Sequence, residues 1–166
     1  ALKKKLAEAS LIALVNWTML PHMTAIFRKV LATAGPALGT RRPWVFFDLA
    51  DPAKRTERDI YEALGVIAKF QKSFRAVLGL NFSESRQIGS VLGIRPPGED
   101  QAAVAQHAAR IRERLRIETV VIHPTAFAAA ADAAGTAHVD GPYTPRPKIT
   151  TGAGDHFNAG FCLGRI

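Results

Sequence analysis

The sequence predicts an α/β fold, a mainly parallel sheet with helices on both faces, from three observations. Short apolar runs alternate with stretches whose apolar residues recur every three or four positions, the pattern of buried strands joined by crossover helices. Asn16, Asp48, Asn81 and His123 stand where four of those runs end, the edge at which open parallel sheets bind ligands. A glycine-rich turn, Thr150-Thr151-Gly152-Ala153-Gly154-Asp155, then opens a last helix with the small or apolar stripe Ala153, Phe157, Gly160, Phe161 and Gly164.

Each element has its own local cause. Residues 1–10 alternate charge with apolar residues as a helix does, without a signal peptide's hydrophobic block. Leu11 to Val15 is an apolar run of strand length. Met23, Ile26, Phe27, Val30 and Leu31 mark one face of the next helix, which Gly35-Pro36 closes. Trp44 to Phe47 form the second strand, ending at Asp48, and Thr56 with Asp59 caps a helix carrying Ile60, Leu64, Ile67 and Phe74. Ala76 to Leu80 is the third strand. Asn81-Phe82-Ser83-Glu84 follows at the handover to a short helix with Ile88, Val91 and Leu92, which Gly93 stops. After the turn at Pro96-Pro97-Gly98, Val104, Ala108, Ile111 and Leu115 lie four, three and four apart on another helix. Thr119 to Ile122 is the fourth strand. Ala126–Ala131 and Thr136–Val139 flank Asp132-Ala133-Ala134-Gly135 and suggest a hairpin, although alanine is a poor strand former and a helical first arm stays open. Pro142, Pro145 and Pro147 keep the approach to Thr150 extended.

Composition narrows the class. With 166 residues and 48% hydrophobic content, the chain is about one domain's worth and builds a real core. No apolar run is long enough to span a membrane, so a cytoplasmic protein without membrane association is expected. The net charge of +8 invites a nucleic-acid hypothesis, but the basic residues are scattered among acidic ones with no aromatic interleaving. Nucleic acid is therefore not an expected partner. The lone Cys162 reads as a small packing residue.

The Gly152 turn suits phosphate chemistry. Gly152 and Gly154 permit backbone conformations that aim successive N–H groups into one small space, and the positive end of the last helix faces it too. Asp155 stands ready to take a proton from an attacking hydroxyl. A turn with a helix cap is the plainer reading of the same residues. Asn81 with Glu84 likewise reads as a capping box or as a pair that organises a metal, and the two roles are compatible.

Thr150 to Phe161, with Asn81-Phe82-Ser83-Glu84 upstream, closely resembles the signatures of the ribokinase-like, or PfkB, carbohydrate kinases. The resemblance implies a ribokinase-like (Rossmann-like) sheet, with the chain as a single partial α/β domain over 1–166, the carboxyl-side part of such a kinase. It implies Asp155 as catalytic base, the amides of Gly152, Ala153 and Gly154, with that of Asp155, as anion hole, and Asn81 with Glu84 as organisers of the hydrated Mg2+ that accompanies ATP. It implies ATP-dependent phosphorylation of a hydroxyl on a sugar or sugar-like molecule, and leaves room for a homodimer. The amino-terminal sugar-binding and lid part and the last segment of the family fold are absent, with the chain ending in mid-helix, so these residues alone are expected to be inactive.

Three positions depart from the family pattern. Ile149 stands where the signature begins with an Asp linked to a monovalent cation, so the resemblance does not extend to that ion. His123-Pro124-Thr125 replaces Thr-x-Gly beside the nucleotide phosphates; Thr125 retains a hydroxyl, and His123 is either a phosphate contact or a structural histidine. His156 replaces a small residue after the aspartate, to cap, line the site or sit on the helix's outer face. These departures motivate an alternative, a non-catalytic binding or regulatory subunit of the same fold.

Overall fold

The computed structural model describes residues 2–166; Ala1, the first residue of the predicted amino-terminal helix, lies outside them. Six strands form one sheet in their order along the chain. They are β1 (Leu11–Leu14), β2 (Trp44–Asp48), β3 (Arg75–Asn81), β4 (Thr119–His123), β5 (Phe127–Asp132) and β6 (Gly135–Asp140). β1 to β4 are parallel, and β5 and β6 complete the sheet as an antiparallel hairpin. Register pairs Ala129 and Ala131 with Ile122 and Val120, and this packing gives the first alanine arm the strand conformation that its propensity does not.

The helices are α1 (Leu2–Glu8), α2 (Met23–Ala34), α3 (Glu57–Phe70), α4 (Phe82–Val91), α5 (Gln101–Leu115) and α6 (Ala153–Leu163). Parallel neighbours in sequential order, joined by right-handed crossovers, place their connecting helices on one side of the sheet. The main core accordingly joins Phe27 of α2, Ile60, Leu64 and Ile67 of α3, Ile88 of α4 and Val104 and Ile111 of α5 to Val45, Phe47, Leu78 and Val120. Phe46, Val77 and Val121 point to the other face, where Phe157, Phe161 and Cys162 of α6 pack on them. Gly79 makes room there, since a Cβ at this position would lie 2.4 Å from Phe46 Cζ. Arg165 lies over both Trp44 and Phe161, fastening the far end of α6 to the sheet.

Two expected boundaries move. Phe74 is fully buried but follows α3, which ends at Phe70 with a turn that carries Phe74 back into the core. The last helix ends at Leu163 with Gly164 as its cap, three residues short of the expected span.

Thr56 caps α3 as its spacing predicts, its hydroxyl accepting from the Asp59 amide at 3.1 Å. A polar contact that the sequence did not announce joins α4 to α5. His107 is fully buried, and its Nε2–H donates to the Ser85 carbonyl at 2.9 Å, which leaves Nδ1 without a partner. Gly89 is needed beneath it, since a Cβ there would meet His107 Cε1 at 2.6 Å. Burial lowers the His107 pKa, outweighing the opposing Ser85 bond, so the folded protein holds the neutral ring while the unfolded chain protonates near the ordinary value of 6.5. The unfolded state therefore binds more protons as pH falls through that value, and this contribution to stability, present above it, is lost on acidification. Urea unfolding midpoints should fall between pH 7 and pH 5 and depend less on pH in His107→Gln.

Candidate active site

The carboxyl ends of β2, β3 and β4 bring the sequence-predicted residues to the α6 side of one sheet edge. Alternation settles the side: Phe46, Val77 and Val121 face α6, so Asp48, Asn81 and His123, each an even number of residues further on, share that face. Asn81 pairs with His123 across β3 and β4. His123 stacks on Phe157 with ring centroids 4.5 Å apart, and a side-chain carbon added at Gly154 would lie 3.8 Å from His123 Cε1. The glycine turn is thus seated against the end of β4.

Gly152 is the N-cap of α6 at φ 87°, the left-handed conformation expected of a glycine there. Among the described residues, the amides of Gly152, Gly154 and Asp155 have no protein acceptor, and no side chain caps the helix. Ala153 differs from the expectation: its N–H donates to the Thr150 carbonyl at 3.2 Å, closing the turn, which leaves three free amides instead of four. His156 turns back on the same loop, its Nδ1–H donating to the Gly152 carbonyl at 2.8 Å, so it braces the turn from outside. Asp155 is exposed and borders a groove of about 210 Å3 with Leu11, Ala13, Phe46 and Asn158. On the opposite flank of α6, Val121, Ala128, Ala130, Val139, Phe157 and Phe161 line a more open, apolar groove of about 400 Å3. Thr125 is exposed in the bend after β4, and Ile149 lies 80% exposed.

Asn81 and Glu84 form a complete capping box. The Asn81 side-chain Oδ1 accepts from the Glu84 backbone N–H and Glu84 Oε2 from the Asn81 backbone N–H, both at 2.9 Å. Glu84 Oε1 also accepts from the Asp51 amide at 2.8 Å, so this one buried carboxylate binds two separate backbone segments. Burial raises its pKa, opposed by these two backbone bonds and reinforced by the charges of Asp48 and Asp51. Burial lowers that of His123, and the nearby Asp48 charge opposes the shift. Asp155 borders the groove beside β1 and β2, Asp48 lies at the end of β2, and Asn81 and His123 lie at the ends of β3 and β4.

Two residues of this end carry more than their sequence context announced. Asn158 is the buried residue of α6 and donates from Nδ2 to Asp48 Oδ2 at 2.6 Å. Its signal was an amide on the same helical flank as the apolar Phe161 and Cys162, but a helix stripe read for apolar residues passes over it. Asp51 was silent in the sequence, because its part is played by its backbone.

The family model for prokaryotic ketohexokinase matches residues 1–166. The chain belongs to the prokaryotic ketohexokinase family. The chain is also similar to a ketohexokinase of Haloferax volcanii, 26% identical over 160 residues, an alignment covering 95% of this chain and 41% of the relative. Solved structures show the same fold at low identity. A 2-dehydro-3-deoxygluconokinase from Thermotoga maritima superposes with a TM-score of 0.67 at 18% identity, over 99% of this chain and 50% of that one. A structure described as ribokinase II of E. coli, in complex with ATP and Mg2+, gives 0.62 at 17% identity over 98% and 47%. The fold is therefore ribokinase-like, and this ketohexokinase-family chain spans about half the length of these structures and less of its curated relative.

The residues present fit magnesium only in one manner. Among the described residues no group of three or more His, Cys, Asp or Glu side chains could hold a metal directly, and both Glu84 oxygens already accept backbone N–H groups. Spare lone pairs on this carboxylate suit hydrogen bonds from metal-bound water, the hydration that magnesium gives up reluctantly. No helix of the described residues is long and apolar enough to cross a membrane.

Proposed function

We propose that the full-length protein phosphorylates a hydroxyl of a sugar or sugar-like molecule with ATP, a ketohexose being the first acceptor to test. The observation that carries this reading is the set of free amides at Gly152, Gly154 and Asp155, gathered at the start of α6 beside an exposed carboxylate. Unpaired N–H groups and the positive helix end stabilise a phosphoryl group as it passes between oxygens. Asp155 accepts the proton of the attacking hydroxyl, the γ-phosphorus gains that oxygen, and the bond to the β-phosphate oxygen breaks to release ADP. Asn81 and Glu84 would hold hydrated magnesium through its water, and the ion would offset the charge of the transferring phosphates. His123, stacked on Phe157 and close to Gly154, and the exposed Thr125 would contact the nucleotide phosphates, and the apolar groove along Phe157 suits a base. The chain acts as one partial α/β domain of a cytoplasmic enzyme.

The departures at Ile149 and His123-Pro124-Thr125 favour a second reading, a non-catalytic binding subunit of the same fold. A panel of ketohexoses, aldoses, nucleosides and related alcohols, scored for acceptor-dependent ADP release by the full-length protein, separates the two. Release with a sugar supports the kinase, and nucleotide binding without turnover on any acceptor supports the second reading.

A further inference from the structure

We propose that Asp48 and Asn158 are positioning residues that tie the free-amide end of α6 to the Asn81–Glu84 cap, an inference that rests on the phosphotransfer reading. The two elements lie far apart in the chain, and hydrogen bonds on either side of the Ala50–Asp51 peptide link join them. Asn158 Nδ2 donates to Asp48 Oδ2 at 2.6 Å, the only orientation open to the amide because a carboxylate only accepts. The second oxygen of Asp48 accepts from the Ala50 amide at 2.8 Å. Ala50 and its neighbour Asp51 both adopt left-handed backbone, at φ 55° and 62°, a conformation that aspartate tolerates but that costs alanine and is held there by its surroundings. On the far side of that strained pair the Asp51 amide donates to Glu84 Oε1, and Glu84 in turn closes the cap with Asn81. Strain between two side-chain anchors makes the turn a stiff strut: displacing Asp48 moves Ala50 and Asp51, and with them Glu84.

Placement on α6 gives the strut its leverage. Asn158 lies three residues beyond Asp155 and is the buried residue of this helix. Its Oδ1 is buried without a hydrogen-bond partner, a cost that an apolar residue of similar size would avoid. The bond to Asp48 thus contributes orientation of α6 more than stability. It sets the rotation of the first turn, and so the direction of Asp155 and of the free amides, relative to the element that manages magnesium.

Asn158→Leu in the full-length protein is the test, because it removes the relay's first bond while keeping volume and burial. We expect kcat to fall about ten- to a hundredfold, with KM for ATP nearly unchanged and the thermal midpoint equal or higher. The reciprocal swap, Asp48→Asn with Asn158→Asp, keeps an amide-to-carboxylate bond between the same positions and should restore most of kcat. Amide hydrogen exchange at Asp51 should quicken in Asn158→Leu and return in the swap. An unchanged kcat, a loss that the swap does not recover, or Asp51 exchange that ignores Asn158 overturns the proposal. If the wild-type protein phosphorylates no acceptor, the phosphotransfer reading fails by itself, and Asp51 exchange still decides whether the relay exists.

Discussion

Asp155→Asn in the full-length protein is expected to lower kcat by about two to four orders of magnitude while leaving ATP binding nearly intact. The side chain is exposed and makes no hydrogen bond or ion pair with the protein among the described residues, so exchanging one oxygen for an amide leaves the fold alone. The three free backbone amides also remain, since none depends on the carboxylate. What disappears is the proton acceptor, so the loss should fall on turnover and not on KM for ATP. Steady-state kinetics paired with calorimetric titration of ATP measures both; turnover within threefold of wild type would remove Asp155 from the proposed chemistry.

Glu84→Ala is expected to be the most destabilising polar substitution, at about 2–4 kcal/mol by urea denaturation, because it strips acceptors from the amides of Asn81 and Asp51 together. The part-buried setting of both bonds prevents water from replacing the carboxylate fully. Removal of a buried charge offsets some of this loss, which keeps the expected value below the sum of two charged hydrogen bonds. Glu84→Gln separates structure from chemistry: it returns one acceptor and recovers part of the stability, yet should raise the magnesium concentration needed for half-maximal turnover. Equal stability of Glu84→Ala and wild type would show that the clamp on Asp51 contributes nothing.

Much of the fold was legible in the sequence because its signals are local. Trp44 to Asp48 and Thr119 to His123 are strands buried on both faces, and continuous apolar runs announce such strands without help from distant residues. The Thr56 cap and the Asn81–Glu84 box are likewise written within four consecutive residues. Legibility stopped where partners lie far apart. Asn158 meets Asp48 across 110 positions, and no local pattern couples an amide on a helix to a carboxylate at a strand end. His107 reads as one polar residue in an amphipathic helix until Gly89 and the Ser85 carbonyl are brought beneath it. The Ala153 amide was assigned to the anion hole by its position in the motif, but the turn itself takes that donor through Thr150. The approach of His123 to Asn81 and to Gly154 follows from the parallel strand order, which brings strand ends together with the loop before α6.

Because every crossover packs on one side, β1 to β4 can assemble from neighbours in sequence, whereas α6 must return across the whole sheet to find Asp48. Contacts spanning so much chain form late in folding. Among the residues of this chain, Asn158 is the buried residue of α6 and the others are partly or fully open to solvent. Loosening of α6 is therefore expected before the parallel sheet of this chain unfolds: on mild warming its amides should exchange hydrogen ahead of those of β2, β3 and β4.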